Sequence, residues 1–481
     1  MPDPTYTTEI EFVSGSYTNI TSHCHKIQIS TTLARGSEDN ISVPTCSLLI
    51  DNHNRQFSKM NSESPYYPHL QVGKNIRVTA LYVGSTYNLF SGIIDSYSLD
   101  PKHGADTAYI QTSGKIKEFQ RRIINLPVFA NTKPNSLFTD ILSASLVSSY
   151  SIDTLYDDIT YAWYNDTPPL SAISEILGFG DYYFYSGGGG DVRIKDRHWI
   201  AGASAVASYY EFYDYGYTYS ENSIINQCKI EGTPRKLSSS VNTITFLDVS
   251  NTHVYLPGSS AMGFTLTYLD PNTQEQPTPA LNMISPVASV DYSFTTIPSG
   301  GSYLHSTTSL FTTFYATTVV CTVSNNYGDT LYINHLQFRG YSLQKQPMIS
   351  APYDNSSSQS VYGKRLYTLT NDLINSTLMA QDYAYHIVRE GQEPHIMLNV
   401  ALKNQWPDCL ARDLGDIINI VNSQTAVSGK YYIKTIDHTI DTTRGLEHIS
   451  EYEIEEWIDR GYVVLDHATY GLMDSGRIWG F

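Results

Sequence analysis

The chain has 481 residues, of which 41% are hydrophobic and 16% charged, with a net charge of −17. That length suits about three or four domains, the apolar share is enough for packed cores, and no apolar run approaches the ~18–20 residues a membrane-spanning helix needs. The acidic balance argues against a protein that holds nucleic acid by neutralising phosphates, and 39 Tyr beside so few charges suit β-sheets with polar or half-buried faces rather than a coiled coil.

The opening MPDPTYTTEIEF has neither the basic start nor the apolar stretch of a secretory leader, so none is expected. Strands are then expected at Glu9–Val13, Lys26–Ser30, Cys46–Ile50, Asn75–Tyr82, Leu89–Leu99 and Thr107–Lys117, where β-branched and aromatic residues concentrate. Turn clusters at Gly36–Asn40 and Val83–Ser85 separate them, and Asn61–Pro68 reads as a stiff loop. From about 126 to 211 the pattern becomes mixed. Asn135–Leu146 is expected as a helix with Leu137, Ile141 and Leu142 on one face. A second helix is expected from Thr167 as N-cap through Pro168, Leu170, Ile173, Ile176 and Leu177, with Gly178 stopping it. Tyr182–Tyr185, four glycines and Asp191–Lys195 then read as a hairpin.

Residues 246–345 show strand patterns at Phe264–Tyr268, Phe311–Tyr315, Val319–Val323 and Leu331–Phe338, which suggests a β-sandwich. One long helix is expected at Asn371–Arg389, with Ile374, Leu378, Gln381, Tyr385 and Val388 on a stripe, Gly391 as C-cap and Pro394 beyond. Strands resume at His395–Leu402, Asp416–Val421, Lys430–Ile440 and His448–Trp457.

A weak internal repeat runs through this pattern. Val72–Val78 resembles Leu414–Ile420, and Ile93–Tyr97 resembles Thr435–Thr439; Gly73 to Gly415 and Asp95 to Asp437 are both spans of 342 residues. Thr45–Asn52 has a partial counterpart at Asn226–Gly232. Equal spans favour duplication over chance and imply two similar β-barrels, the second split by the sandwich.

Few residues look chemical. Cys24, Cys46, Cys228, Cys321 and Cys409 are too scattered for a disulfide framework or zinc site and read as small buried thiols. His23-Cys24-His25, if it alternates along a strand, turns both imidazoles one way, but without further ligands a polar strand is the better reading. Gly187–Gly190 lacks the Lys-Ser/Thr of a phosphate loop and reads as a hairpin tip. HExxH and GxSxG are absent from the sequence. Glu447–Asp459 holds six acids and no Lys or Arg. It reads either as a solvated edge strand or as an acidic wall, with Glu451, Glu453 and Glu455 on one face, that repels polyanions. The aromatic run Tyr209–Tyr219, including Tyr213, Tyr215 and Tyr217, and the loop pair Tyr66 and Tyr67 read as sheet and interface packing, ahead of sugar stacking.

Cys46–Asn52, Asn54–Ser58, Ser64–Pro68, Val72–Lys74 and Leu89–Gly92, in that order, resemble the N-terminal region of minor tail proteins of long-tailed bacteriophages, with Asn54-Arg55-Gln56-Phe57 where Asp-Gly-Arg-Phe is usual. Cys321–Gly340 resembles the last strands of their sandwich, Val361–Leu369 and Asp413–Ile420 their C-terminal domain, and Val464–Asp466 through Gly471–Asp474 their ending.

The resemblance implies a tail-tip or baseplate-hub protein, mainly β with a small α/β part. Residues 1–125 form a first tube-like β-barrel, 126–211 an α/β connector domain, 212–245 plus 350–459 a second tube-like barrel, 246–349 an inserted β-sandwich and 460–481 a C-terminal tail. It further implies a homotrimeric ring that adapts sixfold to threefold symmetry. Its partners would be the distal tail or tail-tube protein, the tape-measure protein and tip or fibre proteins, with DNA only in transit, sliding unbound past a lumen that Glu451, Glu453 and Glu455 would face. The chain would be made in the host cytoplasm and end in the virion tail tip. No catalytic residue, cofactor or metal is expected. A carbohydrate-binding receptor protein, and behind it a tail-associated cell-wall hydrolase, are the alternatives.

Overall fold

Alternation of apolar and polar residues sets the face each strand buries, and the longest such runs collect in one sheet. The computed structural model describes residues 2–36, 40–102, 105–247, 249, 254–273, 277–298, 303–457, 462–463 and 478–479. The expected tail, 460–481, with the Val464–Asp474 segment, otherwise lies outside the described residues. The fold is mainly β, and its centre is a 13-stranded sheet.

An N-terminal half supplies Cys24–Thr32, Thr45–Asp51, Ala105–Gly114, Ser85–Lys102, Asn75–Tyr82, Thr5–Val13 and Ser16–Asn19, in that spatial order. A C-terminal half supplies Asp214–Tyr219, Ile396–Lys403, Glu447–Glu456 and Val427–Asp441, with Ile417–Asn422 and Ala205–Tyr209 branching from the last. The halves meet strand to strand. Lys26 to Thr32 pair antiparallel with Asp441 to Thr435. The seam extends at both ends, through Thr442 N–H to the His25 carbonyl (2.9 Å) and Leu33 N–H to the Lys434 carbonyl (2.8 Å). Ile27, Ile29, Ile436 and Ile440 are all buried along it.

The internal repeat exists in the topology, with a different alignment from the one the sequence suggests. Gly73 N–H donates to the Ile94 carbonyl (2.7 Å) and Gly415 N–H to that of Ile433 (2.8 Å). Ile94 pairs with Thr112 as Ile433 pairs with Ile454. The outer strands of each three-stranded meander are therefore 342 residues apart, but Ile94 and Ile433 are 339 apart. The cause is hairpin length. The first hairpin of the N-terminal half is longer and carries a bulge at Leu89, and the C-terminal half regains the difference between Asp441 and Glu447. So Ile93–Tyr97 and Thr435–Thr439 are not equivalent. Nor is Asn226–Gly232 the mate of Thr45–Asn52. Cys46 pairs with Thr112 and Leu398 with Ile454, so the mate is Ile396–Lys403.

Gln227–Gly232 instead lies between Ile349–Asp354 and Leu366–Thr370 in a separate three-stranded sheet. These residues, expected in the second barrel, share a core with helices Pro134–Ala144, Pro169–Gly180 and Thr377–Gly391. Arg235–Leu237 and Asn242–Phe246, also expected there, pair with Leu331–Lys345. That long strand and the sheet of Ser260–Thr267, Thr318–Asn325 and Thr308–Phe314 enclose one apolar core.

Helix ends depart from expectation for local reasons. The second helix is N-capped by Pro168, not Thr167, and runs through Gly178 to Gly180, where Asp181 turns left-handed at φ 54°. The close approach here is made by Gly36, where a Cβ would lie 2.0 Å from the Leu177 carbonyl oxygen. The third helix starts only at Thr377, capped by the Ser376 hydroxyl. It buries Ala380, Tyr383, Ala384, Ile387 and Val388, while Leu378 and Gln381 of the expected stripe are exposed. Gly391 is its last residue, not its cap.

Two buried polar ties cross between elements. Arg35, beside the N-terminal half, donates to Asp181 (Nε to Oδ2, 2.9 Å) and also pairs with Glu390 of the third helix. Tyr6 Oη lies 2.7 Å from His448 Nδ1, whose Nε2 lies 3.0 Å from His438 Nδ1. Burial lowers His438 to about 4, and burial with the neighbouring imidazole lowers His448 well below 6.5. Both are neutral in the fold and bind a proton more readily when unfolded, so stability rises with pH across that interval. We expect stability to fall from pH 6.5 towards 4 by about 1 kcal/mol or more per unit. His438→Gln should flatten that slope in urea titrations.

Candidate functional site

The sheet has one buried face and one open face, and the open face crosses the seam without interruption. Asp214, Asn399, Glu453, Glu451, Asp437, Ser30, Gln28, Ser47, Gln111 and Ser96 follow one another across eight neighbouring strands, none of them buried. The period-2 alternation of each strand puts its hydroxyl, amide and acid groups here and its Ile, Leu and Val beneath.

Acids gather at one end. Glu451 lies directly opposite Asp437 in the ladder, and Asp214, Asp437, Glu451 and Glu453 line one shallow depression. Like charges opposed in this way repel. Thr435 Oγ1 donates to Glu453 (3.1 Å), and among the described residues no ion pair reaches these four carboxylates. A surface of this kind repels polyanions rather than binding them.

Glu455 does not belong to it, contrary to expectation. A bulge opposite, between Ile433 and Thr435, brings Glu455 beside Tyr432. There it is buried, 3.0 Å from His395 Nδ1, accepting from Tyr432 Oη (2.7 Å) and 3.7 Å from Lys434 Nζ. Burial alone would raise its pKa, but these partners outweigh it and hold the carboxyl at about 2. Glu447–Glu456 is not an edge strand either, since it is paired on both sides.

The expected interface aromatics divide. Tyr66 stacks on Phe12 (centroids 4.6 Å) and is half-buried. Tyr215 is half-buried, with Oη 3.1 Å from Thr425 Oγ1. Tyr67, Tyr213 and Tyr217 are exposed, Tyr213 with Lys403 Nζ 4.8 Å from its ring.

The remaining candidates are structural. His23 ends a 3₁₀ turn, so it does not alternate with His25 on a strand, and its ring meets Phe57 edge-on. Among the described residues no group of His, Cys, Asp and Glu could hold a metal ion, and no helix is long and apolar enough to cross a membrane. All five cysteines are buried free thiols. The four glycines form the tip of the Tyr183–Ser186/Val192–Lys195 hairpin, pressed so close to the N-terminal half that a Cβ on Gly188 would lie 2.0 Å from the Asn88 carbonyl oxygen. Beside that tip, a recess includes Arg193 and Arg412, both already engaged: Arg193 with Asp191 (2.6 Å) and Asp413, Arg412 with Asp408 (3.4 Å).

The His438–His448–Tyr6 and Arg35–Asp181–Glu390 groups carry no sequence signal, because their members are hundreds of residues apart. Asp437 carried a faint one, as a strand acid in the repeat.

Glu455 yields a pH-dependent prediction. Its pKa is depressed in the fold, so its contribution is full above about pH 4.5 and fades as pH falls towards 2. Glu455→Gln should cost about 2 kcal/mol at neutral pH, measured by urea unfolding, with the difference shrinking in acid.

No described sequence family matches the chain, and neither does any curated protein. Solved structures do. The tail protein from Neisseria meningitidis MC58 superposes with a TM-score of 0.52 at 7% identity, covering 93% of this chain and 96% of that one. The 43 kDa tail protein of prophage MuSo2 from Shewanella oneidensis gives 0.51 at 10% identity, covering 93% and 98%. At such identity the likeness is one of fold, and the chain has the mainly β fold of these tail proteins along nearly its whole length.

Proposed function

We propose that the chain is a structural hub of a phage tail tip or baseplate, working as a homotrimeric ring through which DNA passes on ejection. The observation that carries this is the seam: two related half-sheets in one chain, side by side in a single sheet with one polar face. Three such chains would supply six related units, which is what a sixfold tube needs on one side and a threefold tip on the other. The role is structural rather than catalytic. The distal tail or tail-tube protein would sit above, the tape-measure protein within, and tip or fibre proteins below. The open face would line the passage, where its acids would keep DNA from adhering.

A reconstruction of particles carrying the chain tests the position: density for it at the tip, in three copies, is expected, and its absence there refutes the proposal. The lining is tested separately. Reversing Asp437, Glu451 and Glu453 to Lys should leave particles intact and slow DNA release several-fold in a dye-uptake assay. Unchanged release would remove these acids from the passage.

A further inference from the structure

We propose that one copy of the chain binds the next by a β-ladder between Asp214–Tyr219 and residues 96–102, in the register that sets Tyr217 opposite Leu99. This deepens the ring reading above by naming its contact, and it comes from the repeat within the chain.

Each half has a strand at the seam, and each seam strand has a mate in the other half. Ile29 pairs with Cys46 as Tyr217 pairs with Leu398, so Cys24–Thr32 and Asp214–Tyr219 are mates. Asp437 pairs with Glu451 as Ser98 pairs with Tyr109, so Thr435–Asp441 and residues 96–102 are mates. Within the chain the first members of these two pairs join to form the seam. The second members are the outer strands of the polar face. Among the described residues, Asp214–Tyr219 pairs only with Ile396–Lys403, and residues 96–102 only with Ala105–Gly114.

Carrying the seam's register over to the two free edges gives a definite set of opposed residues. Ile29 opposite His438 becomes Tyr217 opposite Leu99. Thr31 opposite Ile436 becomes Tyr219 opposite Tyr97, and Ser30 opposite Asp437 becomes Thr218 opposite Ser98.

Burial agrees with this register. Ile29 is 2% exposed in the seam, whereas its mate Tyr217 is 45% exposed and the facing Leu99 46%. Both alternate with polar residues onto the face that is core elsewhere in the sheet, so a docked copy would cover them. Pro101 lacks an N–H, so the ladder between copies has one donor fewer than it would otherwise have. A proline on an edge strand limits indiscriminate pairing and leaves this contact weaker than the internal seam. Because the two edges differ, the contact is heterologous and closes a ring when its rotation allows.

Ser98→Cys and Thr218→Cys in one full-length chain test the register. Both positions are exposed, the native thiols are buried, and opposed residues of an antiparallel pair lie within disulfide reach. Mild oxidation should give disulfide-linked multimers, with the displaced pair Asp100→Cys and Thr218→Cys linking about tenfold more slowly. No linkage, or equal linkage by the displaced pair, overturns the proposal. A second measurement avoids cysteine. Leu99→Asp, which sets a charge against Tyr217, should weaken self-association about tenfold; unchanged self-association counts against the register. In-register linkage in a chain absent from tail tips would leave this contact standing and sink the hub reading. Tail-tip particles without the linkage would do the reverse.

Discussion

Everything in this molecule is arranged around seven residues pairing with seven others roughly four hundred positions away. The ladder of Lys26–Thr32 with Thr435–Asp441 turns two half-sheets into one. Without it each half would end in a bare row of amide and carbonyl groups above an uncovered apolar strip, and exposed edges of that kind invite promiscuous pairing. With it, Ile27, Ile29, Ile436 and Ile440 are buried, each contributing about 1.5–3 kcal/mol relative to exposure. The polar face then continues unbroken from one half to the other.

Apolar burial fixes that the halves adhere but not at what angle, since it has no direction. Direction comes from the buried polar groups that straddle elements. Tyr6 reaches from the N-terminal half to His448 and through it to His438. Arg35 joins the end of the second helix to the third helix through Asp181 and Glu390. Removing one member leaves a desolvated partner behind, so such groups specify one arrangement even where their net stabilisation is small.

Much of the fold was legible because strands advertise themselves locally. Asn75–Tyr82 ends where its side-chain pattern ends, and the hairpin around the four glycines follows from turn chemistry. The failures have local causes too. Two hairpins of different length shift the repeat by three residues in its middle strand and by none in its outer ones, which the eye reads as one constant spacing. Alanines at 380 and 384 face the core while Leu378 faces out, so a stripe chosen by side-chain size chose the wrong face. Of the acidic strand, Glu451 and Glu453 lie on the non-core face. Glu455 is buried because one bulge on the neighbouring strand brings Tyr432 beside it while His395 closes on it from the opposite side.

The sequence by itself determined which residues form strands, which side of each strand is apolar, and that two stretches of the chain share a pattern. A period of two sets the face of every side chain, and this is local information. It does not say which strand lies beside which. That Gln227–Gly232 joins the helices rather than the large sheet, that Asp437 opposes Glu451, and that the two halves share one ladder are decided only when strands distant in sequence find a common register. Cross-strand partners are chosen by shape, charge and turn length over hundreds of residues, and no window along the chain contains both members of such a pair.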